Sequence, residues 1–338
     1  MPTPSSAQPP SSATPPSTSS RRRFLKNVGL ASGGVVASHA ALPGPRAFAQ
    51  PVTSDGPRAR FRQLLGQDTP SRCVNCGDVA TARLAEMHGF EIVMTGGSAL
   101  SLSKYGIGDF GLITIDDLVE FCGRTADRID TPIIADADDG GGNPLIVYRT
   151  VQRMEKAGAA CVMIEDLYGA KHLTGYDEGK ILSREAMVDK IRAAVDARQD
   201  SQLALLVRSD VVADGGPLDE ALERVALYSD AGGDVIFVPG IPLDQCRRAV
   251  EVSGRPILTG APSLATAADA GVAIQFIGAM GGIAFGAVDR AMADIAREGQ
   301  LGPIAELSLN SDRRLELVGN AARVEQARRY NVSREDGQ

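Results

Sequence analysis

Four short apolar runs in this chain end in residues able to do acid, base or metal chemistry. Ile133-Ile134-Ala135 runs into Asp136-Ala137-Asp138-Asp139 and then Gly140-Gly141-Gly142-Asn143. Val162-Met163-Ile164 runs into Glu165-Asp166, Leu205-Leu206-Val207 into Arg208, and a fourth run ends at Thr95-Gly96-Gly97-Ser98. A carboxylate at the edge of an apolar segment is costly unless it pairs with a cation, binds a metal or takes up a proton. If the runs are strands, Asp136 and Asp138 stand two apart and share a face. With Glu165 from a neighbouring run they make an all-oxygen acidic set. A few hard oxygen donors, supplemented by water, suit Mg²⁺ or Mn²⁺. Arg208 offers a planar fork for a substrate carboxylate. Gly96 and Gly97 let backbone N–H groups come close to a substrate oxygen. The same charges could also form a buried ion-pair network that only closes the fold, since structural networks place charges in such positions too.

This chemistry needs a scaffold that gathers the ends of several runs. Eight apolar runs, at 72–75, 91–95, 132–137, 160–165, 203–208, 235–238, 256–259 and 274–277, read as strands. Most are continuous, as strands buried on both faces should be. Helical patterns lie between them. Asp78 can cap one running to 88, Thr114 one at 115–125 and Ser183 one at 184–198. Pro144 opens one to 157, Pro217 precedes one to 231, and 243–252 and 289–298 complete the set. Gly89, Gly158 and Gly232 stand where left-handed caps belong. This alternation predicts an α/β fold, a (β/α)₈ TIM-type barrel over residues 50–302, with its chemistry at the carboxyl ends of the strands. A doubly wound open sheet is the alternative. Residues 303–338 read as an additional C-terminal helical tail, suited to oligomer packing.

Residues 1–20 are mostly Pro, Ser, Thr, Ala and Gln, a composition that buries no core. Ser20-Arg21-Arg22-Arg23-Phe24-Leu25-Lys26 then matches the twin-arginine export pattern, followed by a weakly apolar run and a small-x-small site at Ala47-Phe48-Ala49. Residues 1–49 are therefore expected to be a twin-arginine signal peptide with a disordered leader, delivering the folded protein to the periplasm. The apolar run is too short and glycine-rich for a membrane span. Residues 1–49 carry five of the 35 Lys and Arg and none of the 42 acids, leaving 30 cations against 42 acids, a net −12. No basic stripe survives there, which argues against a nucleic-acid partner. Cys73-x-x-Cys76 has the spacing of a redox pair or half a zinc site, but no second pair matches it, and Cys73 lies in a candidate strand. Core thiols are the plainer reading. His172, in the loop after the fourth run, could act as acid or base, or be a solvated loop residue.

The run Ile133 to Asp138 with its glycines and Asn143, Val147-Tyr148-Arg149-Thr150-Val151, Ile164-Glu165-Asp166 and the helix text Ile191 to Arg198 together resemble the isocitrate lyase/phosphoenolpyruvate mutase superfamily, over residues 61–298. The resemblance implies a Mg²⁺-dependent barrel, assembled as a helix-swapped dimer or tetramer, that makes or breaks a bond next to a pyruvate-like enolate. It implies Asp136 as the primary metal ligand, with Asp138, Glu165 and Asp109 contacting the ion directly or through water. Thr95, Gly96 and Gly97 would hold the substrate's carboxylate and oxo oxygen, and Arg208 would clamp the acid group. Lys171 matches the first residue of the family's Lys-Arg-Cys-Gly-His loop and joins Arg208 and His172 as a catalytic candidate. The loop here reads Lys171-His172-Leu173-Thr174-Gly175, so leucine replaces the proton-donating cysteine of the isocitrate and methylisocitrate lyases. The family's aromatic in the glycine loop is replaced by Gly141, and its glutamate after the sixth strand is missing at Val238-Pro239-Gly240. The text is closest to the oxaloacetate decarboxylase branch, although that branch's late histidine is missing. Loss of CO₂ asks only for one proton afterwards, from water or Tyr105. The expectation is a Mg²⁺-dependent lyase of small oxo- or hydroxy-dicarboxylates. Its alternatives are a phosphonopyruvate or phosphoenolpyruvate mutase or hydrolase, and a catalytically lapsed carboxylate-binding barrel.

Overall fold

Eight parallel strands pair in chain order and the last closes on the first, so the sheet has no edge. The protein is described from a computed structural model covering residues 56–169, 171, 181–278 and 280–330. The strands are β1 (Ser71–Cys76), β2 (Ile92–Thr95), β3 (Ile133–Asp136), β4 (Cys161–Glu165), β5 (Ala204–Arg208), β6 (Val235–Phe237), β7 (Ile257–Thr259) and β8 (Ile274–Ile277). Closure pairs Ser71 with Ile274 and Val74 with Ile277. The (β/α)₈ expectation holds, and the open-sheet alternative falls on that one pairing.

Around the barrel run α1 (Pro57–Leu65), α2 (Val79–Met87), α3 (Gly97–Leu100), α4 (Ile115–Ala126), α5 (Pro144–Lys156), α6 (Arg184–Ala197), α7 (Leu218–Asp230), α8 (Cys246–Ser253), α9 (Leu264–Asp269) and α10 (Met280–Glu298). The expected caps are present. Asp78 accepts from the Thr81 N–H, Ser183 from Ala186, and Thr114 and Asp117 cap each other's backbone in a reciprocal box. Gly89, Gly158 and Gly232 all take positive φ just past a helix.

Two apolar layers hold the fold. Strand side chains such as Ile92, Met94, Ile134, Met163, Leu206 and Leu258 fill the barrel interior, while a larger cluster joins the outer strand faces to the helices. Phe61 of α1 is fully buried in the interior cluster, which also holds Cys161 and Ala204, the first residues of β4 and β5. Helix α1 therefore plugs the amino-terminal end and leaves the carboxyl end for the site. Three helices went unforeseen: α1, α3 and α9. The last barrel helix begins at Met280 rather than 289, because α10 carries Gly281, Gly282 and Gly286 within its own length. The tail supplies α11 (Ser311–Leu317) and α12 (Asn320–Tyr330). Among the described residues, no helix is long and apolar enough to cross a membrane. The expected export segment at 1–49 and residues 331–338 lie outside the described residues.

Candidate active site

Thr95, Asp136, Glu165 and Arg208 are the last residues of β2, β3, β4 and β5, four consecutive staves, so barrel closure alone brings them together. Glu165 and Arg208 are register partners. Asp138 arrives by a different route. It lies beyond the end of β3 with φ +48°, so a left-handed turn, not strand alternation, folds it back. That turn places the Asp138 N–H 3.0 Å from Asp136 Oδ1, while Asp136 Oδ2 accepts from the Gly97 N–H at 2.8 Å. One carboxylate oxygen from each of Asp136, Asp138 and Glu165 then lies within 4.8 Å of the others.

A lysine reaches into this set. Lys171 Nζ donates to Glu165 Oε1 at 2.8 Å and to Asp138 Oδ1 at 2.5 Å, and stands 3.6 Å from Asp109 Oδ1. Arg208 Nη1 lies 3.0 Å from Glu165 Oε2, and Nη2 donates to Asp210 Oδ1 at 2.6 Å. The guanidinium lies over the Phe237 ring, 5.4 Å from its centroid. Five carboxyls (Asp109, Asp136, Asp138, Glu165, Asp210) thus meet two cations, and the acids register the imbalance. Burial, then the charge of Glu165, pushes the Asp136 carboxyl above its ordinary range. Burial, then Asp136, pushes Asp138 up to about 7. Burial works against the Lys171 ammonium, but Glu165, Asp138 and Asp136 overcome it and hold its proton above the usual lysine range. Arg208 is held up in the same way, against burial, by Glu165 and Asp210. A divalent cation would relieve this excess. The all-oxygen donor set of Asp136, Asp138 and Glu165 fits Mg²⁺ or Mn²⁺, and the same acids are ion-paired to Lys171 and Arg208.

The remaining expected residues fall as follows. Asp109 joins through Lys171 rather than as a member of the three-acid set. The Gly96 N–H is held by Asn75 Oδ1 at 3.1 Å and that of Gly97 by Asp136, so these two glycines fix the loop and a ligand carboxylate. A Cβ on Gly96 would lie 2.3 Å from the Asn75 amide oxygen, which keeps that position side-chain-free. Thr95 Oγ1 and Arg208 Nε are buried with no hydrogen-bond partner among the described residues, two donors in want of an acceptor. The Tyr105 hydroxyl donates to Asp117 on the exposed side of α4 and is committed there. His172, Leu173 and Thr174 lie outside the described residues. All five cysteines are free and buried, and burial pushes the Cys73 and Cys76 thiols up, so they are core residues.

Two acids behind the site had been given no role. Asp166 is fully buried and accepts from the Asp210 N–H and the Ser209 hydroxyl, both at 2.8 Å, and from the Tyr228 hydroxyl at 2.9 Å, with Arg224 at 3.3 Å. It ties the loop carrying Asp210 to α7. The run of polar residues Arg208-Ser209-Asp210 straight after an apolar strand was the available signal. Asp210 itself is pushed up to about 7 by burial, which outweighs the counter-pull of Arg208. A carboxyl raised in the folded state stabilises fully below about pH 4, and that contribution is lost as pH rises toward 7. Metal-free Asp210→Asn protein should therefore show a flatter fall in Tm between about pH 4 and 7 than the wild type. Parallel curves would exclude Asp210 as a titrating group in that window.

Comparison with known proteins places the chain among relatives of one family. The family model for phosphoenolpyruvate phosphomutase matches residues 61–296. The chain is 38% identical over 204 residues to 2-methylisocitrate lyase of Salmonella typhimurium, covering 60% of this chain and 69% of that one. It is 38% identical over 202 residues to oxaloacetate decarboxylase 1 of Pseudomonas fluorescens, with the same 60% and 69% coverage. A phosphonopyruvate hydrolase solved with oxalate and Mg²⁺ superposes with a TM-score of 0.73 at 25% identity, over 81% of this chain and 99% of that one.

Proposed function

The chain belongs to the phosphoenolpyruvate phosphomutase family, and on that premise we propose that it is a Mg²⁺-dependent lyase, breaking a carbon–carbon bond of a small oxo- or hydroxy-dicarboxylate through a pyruvate-type enolate, in the manner of an oxaloacetate decarboxylase. The observation that carries this reading is the convergence of Asp136, Asp138 and Glu165 within 4.8 Å, beside the half-buried Arg208. Bound there, Mg²⁺ would supply Lewis-acid stabilisation of negative charge on oxygen.

The chain's own groups do the rest. Arg208, stacked on Phe237 and braced by Glu165 and Asp210, presents its buried Nε–H to a substrate carboxylate. The Thr95 hydroxyl is a second buried donor for a substrate oxygen. Lys171 keeps its proton and holds Asp138 and Glu165 in place. In this reading water supplies the proton that quenches the enolate. The purified protein with Mg²⁺ would be offered oxaloacetate, methylisocitrate and phosphonopyruvate. Pyruvate from oxaloacetate alone supports this reading. Turnover of phosphonopyruvate alone would replace it with phosphonate chemistry. No turnover at all, with oxalate still raising Tm, would make the protein a carboxylate binder.

An oligomer belongs to the same reading. Helix α10 buries only Asp294, leaving Ile283, Phe285, Val288, Met292 and Ile295 exposed. An apolar stripe of that kind marks an association surface. Met292→Glu with Ile295→Glu should convert an oligomer to monomer in light-scattering mass measurements; an unchanged mass would remove α10 from the interface.

A further inference from the structure

The site opens into a space larger than a four-carbon diacid needs. A cavity of about 480 Å³ has Asp138, Glu165 and Lys171 at its buried end. Ile113, Ile115, Ile146 and Leu167 form an apolar part of its wall, with Asp139 and Thr150 also lining it. Pockets of roughly 300–1,000 Å³ accommodate drug-sized ligands. Three consecutive glycines, Gly140 to Gly142, keep side chains out of part of the loop after β3. Gly141 lines the cavity at φ +87°, and a Cβ there would lie 2.6 Å from Ile115 Cγ1.

The outer part of the cavity carries two arginines and one acid, Asp116. Arg149 and Arg153 both line it, one helical turn apart on α5. Arg153 is engaged by Asp116. Arg149 is exposed and has no hydrogen-bond or ion-pair partner among the described residues. Charge at the inner end, an apolar middle and a cation at the mouth describe a ligand with the opposite sequence of features.

We propose that the physiological substrate is a 2-oxo or 2-hydroxy diacid whose third carbon bears an apolar arm of several carbons ending in a carboxylate that pairs with Arg149. This rests on the lyase reading above and names its substrate class. For a 3-substituted oxaloacetate the C3–C4 bond breaks, CO₂ leaves, the bonding pair passes into the enolate, and C3 takes a proton from water. Each methylene buried against the apolar part of the wall is worth about fourfold in affinity before ordering costs.

The test is a series of oxaloacetates bearing at C3 nothing, a butyl arm, or an arm of equal length ending in carboxylate, with CO₂ release and Mg²⁺-dependent thermal shift both followed. The carboxylate-ended arm should raise kcat/KM, or the ligand's apparent affinity in thermal shift, at least tenfold over both others. Arg149→Gln should erase the advantage over the butyl compound and leave unsubstituted oxaloacetate unaffected. Ile146→Trp, which fills the wall, should erase the advantage of any arm. Equal or better performance of unsubstituted oxaloacetate overturns the proposal. Oxaloacetate turnover, or stabilisation by Mg²⁺ with oxalate, reports on the lyase reading independently of any arm.

Discussion

Asp136→Asn should abolish both Mg²⁺-dependent stabilisation and turnover, lowering kcat by roughly 10³-fold or more, since Lewis-acid stabilisation is worth several kcal/mol. Its two oxygens are already oriented, one by the Gly97 N–H and one by the Asp138 N–H, so the carboxylate is preorganised. The metal-free variant should move the other way. Burial and the charge of Glu165 push the Asp136 carboxyl up, so the folded protein holds this anion at a cost that grows as pH rises above the ordinary carboxylate range. Asparagine removes that cost and keeps one acceptor. Metal-free Asp136→Asn should therefore melt higher than the wild type at pH 8. Asp136→Ala strips both acceptors, leaving two N–H groups unpaired at about 1–3 kcal/mol each where buried, and should melt lower than Asn. A Mg²⁺-induced Tm shift of wild-type size in Asp136→Asn would remove this residue from the metal set.

The barrel was legible because its signals are local. Most strands are short apolar runs, and Asp78, Thr114 and Ser183 announce the helices that follow. Helix α1 was not legible, since its purpose is to put Phe61 under a barrel that forms only from distant segments. The same distinction runs through the site. Asp136, Glu165 and Arg208 stand at strand ends and announce themselves, because charge after an apolar run needs a partner. Asp138 was found by a two-residue spacing argument that the structure replaces with a left-handed turn. Asp210 was passed over because its partner Arg208 was already assigned to substrate, and nothing in the text shows that a guanidinium in a barrel mouth needs bracing from both sides. The tie from Asp166 to Tyr228 spans 62 positions and had no sequence signal at all.

Lys171→Met should have effects of opposite sign on metal and on catalysis. The ammonium and a divalent cation share the same acids, since Lys171 holds Asp138 Oδ1 and Glu165 Oε1, residues of the three-acid set. Removing one partner of a buried ion pair costs about 3–5 kcal/mol because the other charge is left uncompensated. Here the acids have an escape, because without the ammonium their carboxyls rise further and take up protons. The sign follows. A raised carboxyl stabilises fully below about pH 4 and loses that contribution as pH climbs through its folded pKa, already about 7 for Asp138 with the lysine present. The metal-free methionine variant should thus be close to wild type near pH 5 and clearly less stable at pH 8. Mg²⁺ should repair the defect, giving a larger Tm shift than in the wild type and about tenfold tighter binding at pH 8, where no ammonium competes. Turnover should still fall about tenfold or more, since Asp138 and Glu165 lose the cation that fixes their positions. Calorimetric titration of Mg²⁺ beside CO₂ release separates the two effects. Weaker Mg²⁺ binding in Lys171→Met would mean that the lysine organises the metal site instead of competing for it, and a pH-independent loss of stability would mean that the acids are not strained by their crowding.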